Sequence, residues 1–233
     1  MKIAYSLLTY ERLSADNKRF IKNNFNYFEH TPSTLGLSEF VFQDSHVSGI
    51  QGLLYGLDKS YTLSLSYAKF YKLYNYLKRL FRNVPFRTDF VYGSPGTRRL
   101  VRDNRTILME RARSLDELAK EYSQNLYFEA LPLSYCDFLN THEELLSINS
   151  RIHVDTATLI TQGVAASWIG ANLNHIDRIH LSIPGYTSAF RDYDSFFSEA
   201  AYQLRFFEGK IVIEVQNVEV EFKEDIKWLC DQF

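Results

Sequence analysis

Four short apolar segments in the second half of this 233-residue chain each carry one residue able to bind a metal ion. They read Leu126-Tyr-Phe-Glu129, Ile152-His-Val-Asp155, Ile179-His180-Leu-Ser182 and Ile211-Val-Ile-Glu214. The intervals between Glu129, Asp155, His180 and Glu214 are 26, 25 and 34 residues. Each is close to one strand plus one helix, the repeat of a (β/α)8 barrel. In that fold the C-terminal strand ends converge on one mouth, so four ligands placed there meet around one ion. A carboxylate buried at the end of an apolar run is costly without a partner, which a shared cation supplies. Three carboxylates and one imidazole make an oxygen-rich site for one divalent ion. Mn2+ fits it best, with Mg2+, Co2+ and Zn2+ as alternatives.

The rest of the chain has the same rhythm. Strands are predicted at Ile3–Leu7, Asn26–Glu29, Gly49–Leu54, Asp89–Tyr92, Leu126–Glu129, Ile152–Asp155, Arg178–Leu181 and Ile211–Val215. Eight strands alternating with helices imply parallel pairing and a single (β/α)8 TIM barrel, residues 1–233 forming one domain. The clearest helix spans about Ser64 to Phe81, with Leu63, Tyr67, Phe70, Tyr74, Leu77 and Phe81 on its inward face. A second runs from about Thr106 to Tyr122, turning Leu108, Leu115, Leu118 and Tyr122 inward. A third, capped near Ser195, presents Phe196, Ala200, Leu204 and Phe207. The segment from Thr31 to Ser48, interrupted by Pro32 and Gly36, predicts a short or irregular second helix. An open doubly wound sheet is disfavoured because no Gly-rich phosphate fingerprint follows the first strand.

A formal net charge of −2 gives no electrostatic reason to expect nucleic acid or a membrane as partner. Between Lys78 and Arg113, however, ten Lys or Arg stand against three acids, enough for an anionic ligand such as a sugar phosphate. Two cysteines without CxxC spacing, Cys136 and Cys230, fit a reduced cytoplasmic protein. There is no 18-residue apolar run, and the apolar N-terminal stretch is too short for a signal segment.

Several segments together resemble the xylose isomerase-like barrel superfamily, the sugar phosphate isomerases and epimerases related to type IV apurinic endonucleases. Phe90-Val-Tyr-Gly-Ser-Pro-Gly-Thr-Arg98 looks like the Gly-Ser-Pro-x-x-Arg stretch after the fourth strand. Tyr127-Phe-Glu129-Ala-Leu-Pro, Ile152-His-Val-Asp155-Thr, Arg178-Ile-His180-Leu-Ser and Val212-Ile-Glu214-Val are similar to strands five to eight, and Gly49-Ile-Gln51-Gly-Leu-Leu-Tyr-Gly56 to strand three. The resemblance implies that Glu129, Asp155, His180 and Glu214 are the metal ligands. It also implies that Glu129 and Glu214 are the catalytic acid and base, working on the carbon beside a carbonyl through a metal-stabilised enediolate. A sugar or sugar-phosphate isomerase or epimerase is the function expected.

The chain departs from the ketose 3-epimerases of that family at their three substrate-binding positions, where it has Tyr135, Thr158 and Tyr186. Arg98 and Arg191 are the replacement donors expected for an anionic substrate, since guanidinium groups suit bidentate contacts. Glu29 and His30 are adjacent at a strand end, so only one points inward. Glu29 is read as that one, a substrate-binding group, while His153 is read as structural. The alternatives are a non-catalytic sugar-binding or regulatory barrel, a polyol dehydratase, and an endonuclease IV-type nuclease. The last is opposed by Thr158 at a His position and by the near-neutral charge. Nothing in the sequence fixes the oligomeric state.

Overall fold

The computed structural model describes residues 2–32, 47–54, 57, 63, 65–84, 86–93, 104–131, 136–218 and 221–233. Eight strands appear in it: β1 (Ile3–Ser6), β2 (Phe28–His30), β3 (Val47–Ile50), β4 (Asp89–Tyr92), β5 (Asn125–Phe128), β6 (Ile152–Asp155), β7 (Ile176–Leu181) and β8 (Lys210–Ile213). Their order in the sheet is β5-β4-β3-β2-β1-β8-β7-β6. The β1–β2, β1–β8, β3–β4, β4–β5 and β7–β8 ladders are all parallel. The helices described are α1 (Ala15–Asn24), α2 (Tyr67–Asn83), α3 (Arg105–Glu121), α4 (His142–Leu146), α5 (Thr156–Thr161), α6 (Ser167–Ala171), α7 (Asp194–Leu204) and α8 (Phe222–Gln232), which follow every strand but β2, α5 and α6 sharing the crossover from β6 to β7. This is the (β/α)8 barrel that the strand spacing predicts. Two predicted strands are displaced: β2 starts at Phe28 rather than Asn26, and β3 runs Val47–Ile50 rather than Gly49–Leu54. The predicted irregular second helix falls largely on 33–46, outside the described residues.

The chain divides into two compact units, one of Met1–Ser48 with His153–Phe233 and one of Gly49–Ile152. In the first, β1 turns Tyr5 onto the helical layer, where its ring meets Phe25 at 5.4 Å and Phe222 at 6.4 Å. Phe222, the first residue of α8, also takes the ring of Phe20 from α1 at 6.2 Å. Ser14 caps α1 by accepting the Asn17 N–H, which satisfies one orphan donor of the first turn. In α7 the buried residues are Phe197, Ala200 and Leu204. Phe196, predicted inward, is only half-buried, because Phe197 is the residue that packs on Phe190 at 5.4 Å.

In the second unit, the entry to β4 and β5 is tied by one buried amide. Gln124 accepts the Thr88 N–H (2.8 Å) and donates to the carbonyls of Val84 and Phe86 (3.4 and 3.0 Å). Helix α2 buries Leu73, Leu77 and Phe81, and Phe81 meets Phe90 of β4 edge-on at 4.7 Å. Tyr67, expected on that face, is 72% exposed and stacks on Tyr71, which is exposed as well. The inward stripe of α2 starts one turn later than its aromatic periodicity suggests. Helix α3 buries Leu108, Leu115 and Leu118 as predicted, with Tyr122 half-buried at its end. Among the described residues no helix is long and apolar enough to cross a membrane.

His142, at the start of α4, is 5% exposed, and burial lowers its pKa to about 4 although the neighbouring Glu143 pulls the other way. The unfolded chain takes up this proton near pH 6.5 and the folded chain only near pH 4. Stability should therefore be full above pH 6.5 and fall between pH 6.5 and 4, by roughly 3 kcal/mol from this group. Denaturant titrations of the wild type and His142→Gln across that window check it; identical pH slopes would refute it.

Candidate metal centre

Asp155 is the last residue of β6 and the N-cap of α5, so its carboxylate is fixed at the point where strand becomes helix. Oδ1 accepts the Thr158 N–H (2.9 Å) and Oδ2 accepts the Ser182 hydroxyl (2.6 Å). Ser182 is itself clamped. Thr156 donates its hydroxyl to the Ser182 carbonyl (2.6 Å) and accepts the Ser182 N–H (2.8 Å), while Ser182 Oγ accepts the Ala157 N–H (3.1 Å). Each oxygen of Asp155 thus has one bond to protein and a second lone pair left to offer.

His180 projects from β7 between two carboxylates. Its Nε2 lies 2.8 Å from Glu29 Oε2 and its Nδ1 2.8 Å from Glu214 Oε2. Glu214 follows β8 directly, and its Oε1 accepts the Gln216 side-chain amide at 2.9 Å. The other oxygen of Glu29 pairs with Arg178, two residues before His180 and on the same face of β7. Arg178 also donates to the Ser48 carbonyl at 2.7 Å. Glu29, Asp155, Arg178 and His180 are all at 0% exposure, and Glu214 is at 3%. The His153 ring stands edge-on to His180 at 4.1 Å.

The electrostatics follow from this crowding. Burial pushes the Asp155 pKa up, Glu214 adds to the rise, and the result is about 6 despite bonds from Ser182 and Thr158. Burial also works against a charged Glu29 and a charged His180. For Glu29 it is outweighed by His180 and Arg178, which hold the carboxyl below its ordinary range. For His180 it is outweighed by Glu29 and Glu214, which raise the imidazole well above its ordinary pKa. One ligand atom from each of Asp155, His180 and Glu214 lies within 4.8 Å of the others. Two buried carboxyl groups beside an imidazole, with the ionisation of Asp155 opposed by burial and by Glu214, are a donor set suited to a divalent cation.

Glu129 belongs to the other unit. It follows β5 directly, is 6% exposed, and donates its N–H to the Tyr92 carbonyl (3.2 Å). Its carboxylate lies against Gly93, where an added Cβ would fall 1.9 Å from Oε2. Of the expected substrate groups, Arg98 lies outside the described residues, as does Tyr135. Arg191 is held by the start of α8: its Nε donates to Asp225 (2.6 Å) and its Nη2 pairs with Glu221. Two carboxylates already span that guanidinium, and any anionic ligand competes with them. Glu29, read as substrate-binding, instead faces Arg178 and His180 with its two oxygens. Thr158 is buried at the start of α5, and Tyr186 adopts φ 52°, a left-handed conformation uncommon for a non-glycine residue.

Sequence reasoning did not find Arg178, Ser182 or Gln216. A signal existed for the first: an arginine inside an apolar strand, in step with His180, requires a buried anion. Ser182 and Gln216 carry no comparable mark.

Neither a family model nor a curated protein matches the sequence. Solved structures do match the fold. The 3-keto-D-glucoside 4-epimerase of E. coli superposes with a TM-score of 0.69 at 17% identity, covering 99% of both chains. The D-psicose 3-epimerase of Clostridium cellulolyticum H10, solved with D-tagatose, gives 0.63 at 14% identity over 97% of this chain and 89% of that one. The IolI protein with a bound zinc atom gives 0.62 at 13% identity over 100% and 96%. The barrel is therefore that of the sugar epimerase structures, as the resemblance implies.

Gly93→Ala tests how tightly the end of β5 is built. The new methyl group displaces only the far end of a flexible side chain, so the cost should stay within about 1 kcal/mol. The Glu129 carboxylate should nevertheless rotate away in a crystal structure of the variant. An unmoved carboxylate there would refute the close approach. Ser182→Ala, which strands the buried Ala157 N–H and an oxygen of Asp155, should cost more, about 1–3 kcal/mol in a denaturant titration.

Proposed function

We propose that this chain is a metal-dependent isomerase or epimerase of a small carbohydrate, working by proton transfer at the carbon beside the substrate carbonyl. The observation that carries the reading is the meeting of Asp155, His180 and Glu214, buried at successive strand ends, with ligand atoms within 4.8 Å of one another. The barrel shared with carbohydrate epimerases supports it at the level of fold. Glu129, at the corresponding end of β5, is assigned as the fourth ligand. The oxygen-rich set favours Mn2+, with Mg2+, Co2+ and Zn2+ as substitutes. The proposal treats residues 1–233 as one catalytic domain, and its free cysteines suit a reducing cytoplasmic setting.

When bound, the divalent ion would supply Lewis-acid stabilisation of the oxyanion that develops at the substrate oxygen. The chain's own groups move the proton. Glu214 or Glu129, ionised, takes it from the carbon beside the carbonyl, and the C–H electron pair passes into the carbon–carbon bond. Return from the other carboxyl group to the opposite face inverts the centre; return to the former carbonyl carbon, with the neighbouring hydroxyl proton passing to the former carbonyl oxygen, isomerises aldose to ketose. Gln216 holds the Glu214 carboxylate in one orientation during that exchange. A sugar phosphate remains within the substrate class, its phosphate meeting Arg98 or drawing Arg191 from Asp225 and Glu221.

Proton-NMR exchange in heavy water checks the reading directly. With Mn2+ used for turnover and Mg2+ for observation, a panel of ketoses, aldoses, keto-glycosides and their phosphates should contain a compound that takes up deuterium beside its carbonyl. Glu129→Gln and Glu214→Gln should each lower turnover at least about 100-fold while melting stays cooperative. Asp155→Ala should abolish tight metal binding. Metal-loaded protein that exchanges no compound in the panel would move the reading to a sugar-binding barrel, and loss of water from an inosose would move it to a dehydratase.

A further inference from the structure

Arg178 and Glu29 lie outside the proposed donor set, yet they are fully buried directly behind it. We infer that these two are positioning residues that fix His180 as an Nδ1 ligand; the inference rests on the metal-dependent reading above. An imidazole ligates only through the nitrogen that carries no proton, so something must decide which nitrogen that is. Here the choice is built into the fold. Both ring nitrogens lie 2.8 Å from a carboxylate oxygen, Nε2 from Glu29 Oε2 and Nδ1 from Glu214 Oε2. Only Glu214 belongs to the proposed donor set, so Nδ1 is the nitrogen turned toward the ion, and on binding it is the one that would give up its proton while Glu29 keeps the proton on Nε2.

Glu29 does this only if its own orientation is fixed, and that is the task of Arg178. The guanidinium pairs with Glu29 Oε1 through one nitrogen and donates to the Ser48 carbonyl through another, at 2.7 Å. Residues of β2, β3 and β7 are joined by this one side chain. With all three ionisable groups at 0% exposure, water does not compete for Oε2 or for Nε2. An ion pair serving stability alone needs Glu29 and Arg178 but has no need to aim the second carboxylate oxygen at a ligand ring.

The test uses Co2+ alone as the probe, with the full chain. Glu29→Gln leaves a buried guanidinium without its anion and risks unfolding. The double variant Glu29→Gln/Arg178→Met therefore accompanies it, removing both charges at similar volume. Co2+ should bind the double variant about 10–100-fold more weakly than wild type, with a shifted visible absorption band. Its metal-free melting should remain cooperative. Arg178→Lys, which keeps the charge, should restore most of the affinity. In zinc-loaded wild type, long-range 1H–15N spectra should show Nδ1 ligated and a slowly exchanging Nε2 proton on His180; that proton should exchange fast in the double variant. Equal Co2+ affinity and an unchanged band in the double variant, or zinc on Nε2, would overturn the inference alone. Wild-type protein that binds no Co2+ would overturn the metal-dependent reading and the inference with it.

Discussion

His180 sits between Glu29 and Glu214 in a place that water does not reach, and the arrangement around it follows from that constraint. Charges in such surroundings interact strongly and are individually expensive to desolvate. Glu29 is tolerable there because Arg178 and His180 flank it, and Arg178 because Glu29 and the Ser48 carbonyl answer it. Glu214 and Asp155 add two further carboxyl groups, so three of them stand against Arg178 and His180, and burial, with Glu214 behind it, raises the Asp155 pKa. Removing one member of such a set typically costs about 3–5 kcal/mol, whereas a well-packed apolar replacement of a whole pair is often neutral. Stability therefore does not explain why charge is kept in this barrel. The divalent ion proposed for the site would account for it.

Each proposed ligand in this unit has a holder of its own. Asp155 is oriented by Ser182 and by the first turn of α5, and Glu214 by Gln216. Gln216 is in turn seated by the loop after β7: the Tyr186 carbonyl accepts both the Gln216 and Asn217 N–H groups, at 2.8 and 2.9 Å. The Asn217 side chain reaches the Gly185 carbonyl at 2.8 Å. The left-handed backbone of Tyr186 is thus part of what turns its carbonyl onto the loop after β8. Strand ends supply the donors, and the segments that follow them, braced by the loop after β7, orient their side chains.

Local patterns made the scaffold and the donors legible, and distant pairings hid the rest. The segments carrying Asp155, His180 and Glu214 are visible because each is a short, largely apolar run with a metal-competent residue at or near its end. β2 and β3 were less legible since Phe28 and Val47 are flanked by Asn, Thr and Ser, which blur a strand's edge. Tyr67 continues the aromatic stripe of α2 but lies beyond the part that meets the sheet, and periodicity carries no information about where a neighbour stops. The bond from Arg178 to Glu29 joins residues 149 apart, so neither side chain reveals the other. Glu29 consequently read as a substrate group when the structure sets it behind His180.

The same separation bears on why the donor set can coexist with altered substrate positions. Thr158 stands where the ketose 3-epimerases carry a histidine, but what Asp155 draws from this position is the backbone N–H. Tyr186 stands where they carry an arginine, and what the loop after β8 draws from it is a carbonyl oxygen. At both positions the contact that supports the ligands is made by main chain, which any residue except proline supplies at Thr158 and any residue tolerating the left-handed turn supplies at Tyr186. A different side chain at either position therefore keeps the main-chain contacts to Asp155 and to the loop after β8, and under the proposed function the absent ketose-binding groups fit a different carbohydrate.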